Sequence, residues 1–102
     1  MDIIKTSDGA DLKIDLIGRL DTTTAPKLEG ELKKAISSVE KLVFDFSKLD
    51  YISSAGLRVL LAAQKVMNRQ GKMKIIGCNE TVMEIFEVTG FVDILNIDEQ
   101  SK

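Results

Sequence analysis

A chain of 102 residues has room for one hydrophobic core and reads as one domain, residues 1–102. Its apolar fraction of 44% and charged fraction of 29% suit a globular protein, and a net charge of −2 lacks the basic surface that a nucleic-acid backbone requires. Histidine is absent, which removes the commonest general base and the commonest metal ligand. The single cysteine, Cys78, excludes an internal disulfide and suits a reducing, cytoplasmic setting.

Residues 3–6 predict a short strand, and Ser7-Asp8-Gly9 supplies a tight-turn signal. Residues 12–16 alternate apolar and polar, the pattern of a strand with one buried face, so the first two strands predict an antiparallel hairpin. Residues 18–21 leave the second strand. Thr22, Thr23 and Thr24 offer hydroxyls for a helix N-cap, and Pro26 fits a first helical turn. Leu28, Leu32, Ala35 and Ile36 recur at helical spacing, and Ser37-Ser38 ends that helix.

The nearly continuous apolar run 42–46 predicts a central strand covered on both faces. A loop over 47–56 then leads into a second helix over 57–69. On that helix Val59, Leu60, Ala63, Val66 and Met67 share the buried side, and Ser54 lies on the opposite side with Arg58 and Leu61. Gln70-Gly71 gives a C-cap signal. Residues 73–78 predict a strand. Asn79 caps a third helix with Val82, Ile85 and Phe86 inward, and Gly90 ends it. Residues 91–97 hold a turn and a last edge strand, and 98–102 a polar tail. No apolar run approaches the ~20 residues of a membrane span, and the start lacks a signal-peptide pattern.

Strands alternating with helices predict parallel pairs joined by crossovers: an α/β fold with a small mixed sheet, an N-terminal antiparallel hairpin and a covering of helices. Sites in such sheets favour loops at the carboxyl ends of the strands, here 18–24 and 47–56. The second holds Ser53-Ser54 at a strand-to-helix junction, where a hydroxyl can cap the helix, act as a nucleophile or accept a phosphate. Nucleophilic catalysis needs a base within reach, and no G-x-S-x-G elbow or phosphate-binding glycine loop is present. Asp21, Asp45 and Asp50 read as solvated loop carboxylates, with Asp21 suited to an Asx cap, and Cys78 reads as a small core residue. The chain is expected to be no enzyme and to use no cofactor and no metal.

Residues 45–57, Asp-Phe-Ser-Lys-Leu-Asp-Tyr-Ile-Ser-Ser-Ala-Gly-Leu, resemble the signature segment of STAS domains, specifically the bacterial anti-sigma factor antagonists. Residues 18–25 are similar to that family's G-x-L-D-x-x-x-A segment, and Val88-Thr89-Gly90-Phe91 to its late small-Gly-apolar turn. The resemblance implies a single STAS-like domain that binds a partner acting as both anti-sigma factor and serine kinase, and thereby frees a sigma factor. It implies phosphorylation of Ser54, two positions before Gly56-Leu57, with release of the partner, and reversal by a PP2C-type phosphatase. Asp21 matches a family aspartate near the modified residue. Ser53 stands where the family often has aspartate. Partner contact is expected at Asp21, Ser53, Ser54, Arg58, Leu61 and Lys65, with no direct nucleic acid or membrane partner. The alternative is a scaffold module of a larger stress-signalling complex without a phospho-switch; the lack of further domains favours the stand-alone antagonist.

Overall fold

The structure, a computed structural model, describes residues 1–98. β1 (Asp2–Asp8) returns through Gly9 and Ala10 into β2 (Asp11–Leu20), and the two pair antiparallel with Asp8 opposite Asp11. Gly9 stands at φ 62°, a left-handed conformation that glycine enters without steric cost. α1 (Ala25–Ala35) and a 3-10 turn (Ile36–Ser38) carry the chain to β3 (Lys41–Ile52), which runs parallel to β2. α2 (Ser54–Gln70) then crosses to β4 (Lys72–Ile76), parallel to β3. α3 (Glu80–Thr89) and a 3-10 turn (Phe91–Asp93) follow. The sheet order is β1-β2-β3-β4, so this is a mixed α/β sheet opened by an antiparallel hairpin.

The parallel registers align Leu12, Leu42 and Met73 in one row and Ile14, Phe44 and Ile75 in the next. These side chains are buried in one core with Leu28 and Leu32 of α1, Leu57, Leu60, Ala63 and Met67 of α2, and Val82 and Phe86 of α3. Each such fully buried leucine, isoleucine or phenylalanine contributes about 1.5–3 kcal/mol relative to exposure. Asn79 fixes the start of α3 twice: its side-chain oxygen accepts from Val82 N at 2.8 Å, and its Nδ2 donates to Leu49 O at 3.0 Å.

Several sequence expectations are corrected. β3 is covered on one face only. Val43 and Asp45 alternate with the buried Leu42, Phe44 and Phe46, and they lie half-buried on the other face beside Lys13 and Asp15 of β2. The stretch 47–52 is strand, not loop, because Leu49 and Ile52 keep filling the core while pairing with Gly18 and Leu20. Two register shifts in β2–β3 absorb the extra residues of β3. β2 likewise continues to Leu20. Helix α2 begins at Ser54. Val66 leaves its buried stripe and is 37% exposed, and Ile85 is half-buried. Gly71 is extended (φ 175°) and no left-handed cap; a Cβ there would stand 1.9 Å from Glu40 O, so glycine is required by close approach of two backbones. In place of a last edge strand, Ile97 makes a single parallel bridge to Ile75. Residues 99–102 of the expected tail lie outside the described residues.

Candidate functional site at the carboxyl ends of β2 and β3

β2 and β3 end side by side, with Leu20 paired to Ile52. Ser53 N donates to Leu20 O at 2.9 Å, which joins the two loops that the sequence singled out. Gly56, one turn into α2, packs directly on Leu20 and Ile52, so α2 starts flush against the strand ends. Asp21, the residue after Leu20, thus belongs to the same end of the sheet as Ser53.

The serines have different roles. Ser53 is the N-cap of α2: its backbone is extended and its Oγ accepts from Gly56 N at 3.5 Å, a long bond. Its carbonyl accepts from Leu57 N at 2.9 Å. Ser54 is the first helical residue and is exposed, and among the described residues its hydroxyl has no hydrogen-bond partner. The first turn of α2 carries no acidic side chain. The positive end of the helix dipole is therefore unfilled there.

Asp21 organises the other loop. Its Oδ1 accepts from Thr23 N at 3.0 Å, Thr24 N at 3.1 Å and Thr23 Oγ1 at 2.8 Å. The threonines were expected to cap α1 with their hydroxyls, but Thr24 makes no such bond to the helix; the first helical N–H, that of Ala25, donates to the Asp21 carbonyl at 2.8 Å, while the Asp21 carboxylate closes the turn just before the helix. Thr24 Oγ1 accepts from Asp21 N at 2.8 Å and donates to Arg19 O at 2.9 Å. The Thr23 hydroxyl, followed by the backbone N–H groups of Thr24 and Thr23, holds Asp21 below the usual carboxylate range. Arg19 is engaged nearby: its guanidinium carbon lies 4.5 Å from the Tyr51 ring centre, and its Nε lies 3.9 Å from Asp21 Oδ2.

Along α2, Arg58 and Lys65 are exposed and Leu61 is half-buried without joining the core. With Ser54 they follow i, i+4, i+7 and i+11, so one helix face carries all four. A second feature was missed in the sequence. Between the first turns of α1 and α2 lies a shallow groove of about 230 Å³, walled by Thr22, Pro26, Glu29, Ala55 and Arg58. It continues along the helix seam past Val59, Ala62 and the exposed Val66. The signal was present: Ala55, Val59, Ala62 and Val66 repeat at helical spacing on the flank facing α1.

Cys78 is buried, and burial pushes its thiol up to about 12. Asp45 is not gathered with Asp21 but is bound on the uncovered sheet face by Ser47 N, at 2.9 Å, and by the Ser47 hydroxyl, with Lys13 Nζ 3.6 Å away. Asp50 is exposed on β3. Among the described residues no three potential ligands gather for a metal, and no helix is long and apolar enough to cross a membrane.

The STAS domain family profile matches residues 3–102. A Bordetella bronchiseptica protein named as an anti-sigma factor antagonist, BtrV, is 39% identical over 84 residues, covering 80% of this chain and 72% of that protein. The anti-sigma-B factor antagonist of Listeria monocytogenes is 32% identical over 98 residues, covering 92% and 84% respectively. The fold is similar to that of the Bacillus cell-fate determinant SpoIIAA in its phosphorylated form, with a TM-score of 0.75 at 16% identity over 97% of this chain and 93% of that one. This chain belongs to the STAS domain family, and within it groups with the anti-sigma factor antagonists.

Proposed function

We propose that this chain is a cytoplasmic anti-sigma factor antagonist without enzymatic activity, cofactor or metal. Its unphosphorylated form binds an anti-sigma factor that is also a serine kinase, and so releases a sigma factor. Phosphorylation of Ser54 ends that binding, and a PP2C-type phosphatase restores it. Asp21, Ser53, Ser54, Arg58, Leu61 and Lys65 form the contact. The names of the curated relatives support the antagonist role.

The observation that carries the choice of residue is the division of labour between the serines. Ser53 is occupied as a cap, whereas Ser54 presents an exposed hydroxyl without a partner among the described residues. In the modification, the γ-phosphoryl of ATP passes to Ser54 Oγ, ADP leaves and the hydroxyl proton is lost. The product carries about −1.5 to −2 charges. The start of a helix tolerates that charge, so the fold persists. A partner surface packed on the same spot does not, because a bulky dianion would occupy the contact.

Incubation with the cognate kinase and ATP, followed by mass spectrometry, tests the reading. Phosphate is expected on Ser54. Ser54→Ala should lose modification and keep partner binding, Ser54→Asp should bind more weakly, and Ser53→Ala should still be phosphorylated. Phosphate on Ser53 alone, with Ser54→Ala still modified, overturns the assignment. Binding without any phosphate uptake would favour a scaffold module of a stress-signalling complex.

A further inference from the structure

Four residues after Ser54, on the same face of α2, stands an arginine of the proposed contact. Arg58 is exposed, and among the described residues it joins no salt bridge, hydrogen bond or ring contact. The neighbouring arginine differs: Arg19 lies over the Tyr51 ring and beside Asp21. Residues at i and i+4 of a helix have Cβ atoms about 5–6 Å apart, and an acidic group placed N-terminal to a basic one is the favourable order. A guanidinium offers forked donors suited to two phosphate oxygens at once.

We propose that Arg58 is the internal receiver of a phosphate on Ser54, so that modification both adds a dianion and withdraws Arg58 from any partner. This rests on the reading of Ser54 as the modified residue. Before modification, Arg58 stands at the wall of the groove between α1 and α2, open to an acidic group of a partner. After modification its donors turn one helical turn back toward Ser54. No backbone movement is needed, since both residues lie on one rigid helix whose first turn is pinned to Leu20. The device would also steady the phosphoserine against rotation, because two hydrogen bonds fix an otherwise freely turning group.

The test uses the full chain with phosphoserine incorporated at position 54 during translation, so it does not depend on any kinase. The second pKa of the phosphate, about 6 when free, is followed by 31P NMR at low salt. The phosphoserine protein should titrate about 0.2–0.4 pH units below the same protein carrying Arg58→Gln, the shift expected of an i,i+4 pair. Arg58→Lys should restore part of the shift. Arg19→Gln should leave it in place, and 1 M salt should remove it, because an exposed pair is screened there. Equal pKa values in the parent and the Arg58→Gln protein, or a shift lost in Arg19→Gln and kept in Arg58→Gln, overturn the proposal. A kinase that ignores Ser54 would instead sink the switch reading and leave this measurement untouched.

Discussion

A Cβ placed on Gly56 would stand 2.7 Å from Cγ of Leu20, closer than such atoms approach one another, and 2.9 Å from Cγ1 of Ile52. The helix that carries the candidate switch residue is thus seated on the ends of two buried strands, with no space for even one methyl group between them. Gly56→Ala should lower stability by about 1–2 kcal/mol, since overpacking costs ~1–3 kcal/mol and alanine recovers up to ~1 kcal/mol over glycine in a helix. A urea titration should show a lower midpoint at unchanged slope. A raised midpoint would mean that the seat yields easily.

Leu61 and Leu57 differ in what they touch, although both lie on α2. Leu57 is buried in the core and Leu61 is half-buried outside it. Leu57→Ala should cost about 2–5 kcal/mol. Leu61→Ala should shift stability by about 0.5 kcal/mol or less while weakening binding of the anti-sigma partner. Thermal unfolding and calorimetric titration of the two variants check this. If Leu61→Ala unfolds the protein, the partner face is wrongly drawn.

Asn79 holds α3 by a cap and by its bond to Leu49 O. Asn79→Ala removes both and should cost about 1–3 kcal/mol. Asn79→Asp keeps the cap acceptor but turns an acceptor toward the Leu49 carbonyl, and should recover only part of that loss. Chemical denaturation of the three proteins orders them.

Acid should expose the work of Asp21 and Glu31. Asp21 is held low chiefly by the Thr23 hydroxyl, and Glu31 by its bond to Lys5. A carboxylate with a depressed folded-state pKa stabilises the fold above its unfolded value, about 3.9 for Asp and 4.3 for Glu. That contribution disappears as pH falls through the lower folded value. The thermal midpoint should therefore be flat from pH 7 to about 5 and decline below. Asp21→Asn, which can still accept the backbone bonds, should decline less steeply. Parallel acid limbs would show that Asp21 carries no part of the effect.

Much of this architecture is written in local patterns. The alternation of Leu12, Ile14 and Leu16, the turn at Gly9, the cap at Asn79 and the serine pair at a helix start each follow from short-range chemistry, and each appears in the structure. The misreadings share one cause, which is that the deciding partner is far away in sequence. Val43 and Asp45 look like core because they stand within a nearly continuous apolar run, yet their neighbours are Lys13 and Asp15, thirty residues earlier. Ser47 and Lys48 look like loop, but pairing with β2 carries the strand past them. Gly71 looks like a helix cap, and only the approach of Glu40 explains it. At the site, the shared helix face of Ser54 and Arg58 is legible from their spacing. The Asx turn of Asp21 is legible too, but not that the threonine hydroxyls leave α1 uncapped, since the first helical N–H goes to the Asp21 carbonyl.

The face of the sheet that no helix covers carries its own instruction. Exposed or half-exposed Ile4, Val43 and Ile76 lie there among Lys13, Asp15, Asp45 and Lys74, with Lys13 3.6 Å from Asp45 and 3.8 Å from Asp15. As exposed ion pairs these contribute only about 0–1 kcal/mol each to the fold. Their larger effect is on what the molecule refuses to do. Two such surfaces pressed together would strip several ions of water, at several kcal/mol apiece, for the burial of a few aliphatic side chains. The bare face is thereby self-avoiding: its ions oppose the stacking of two copies through it.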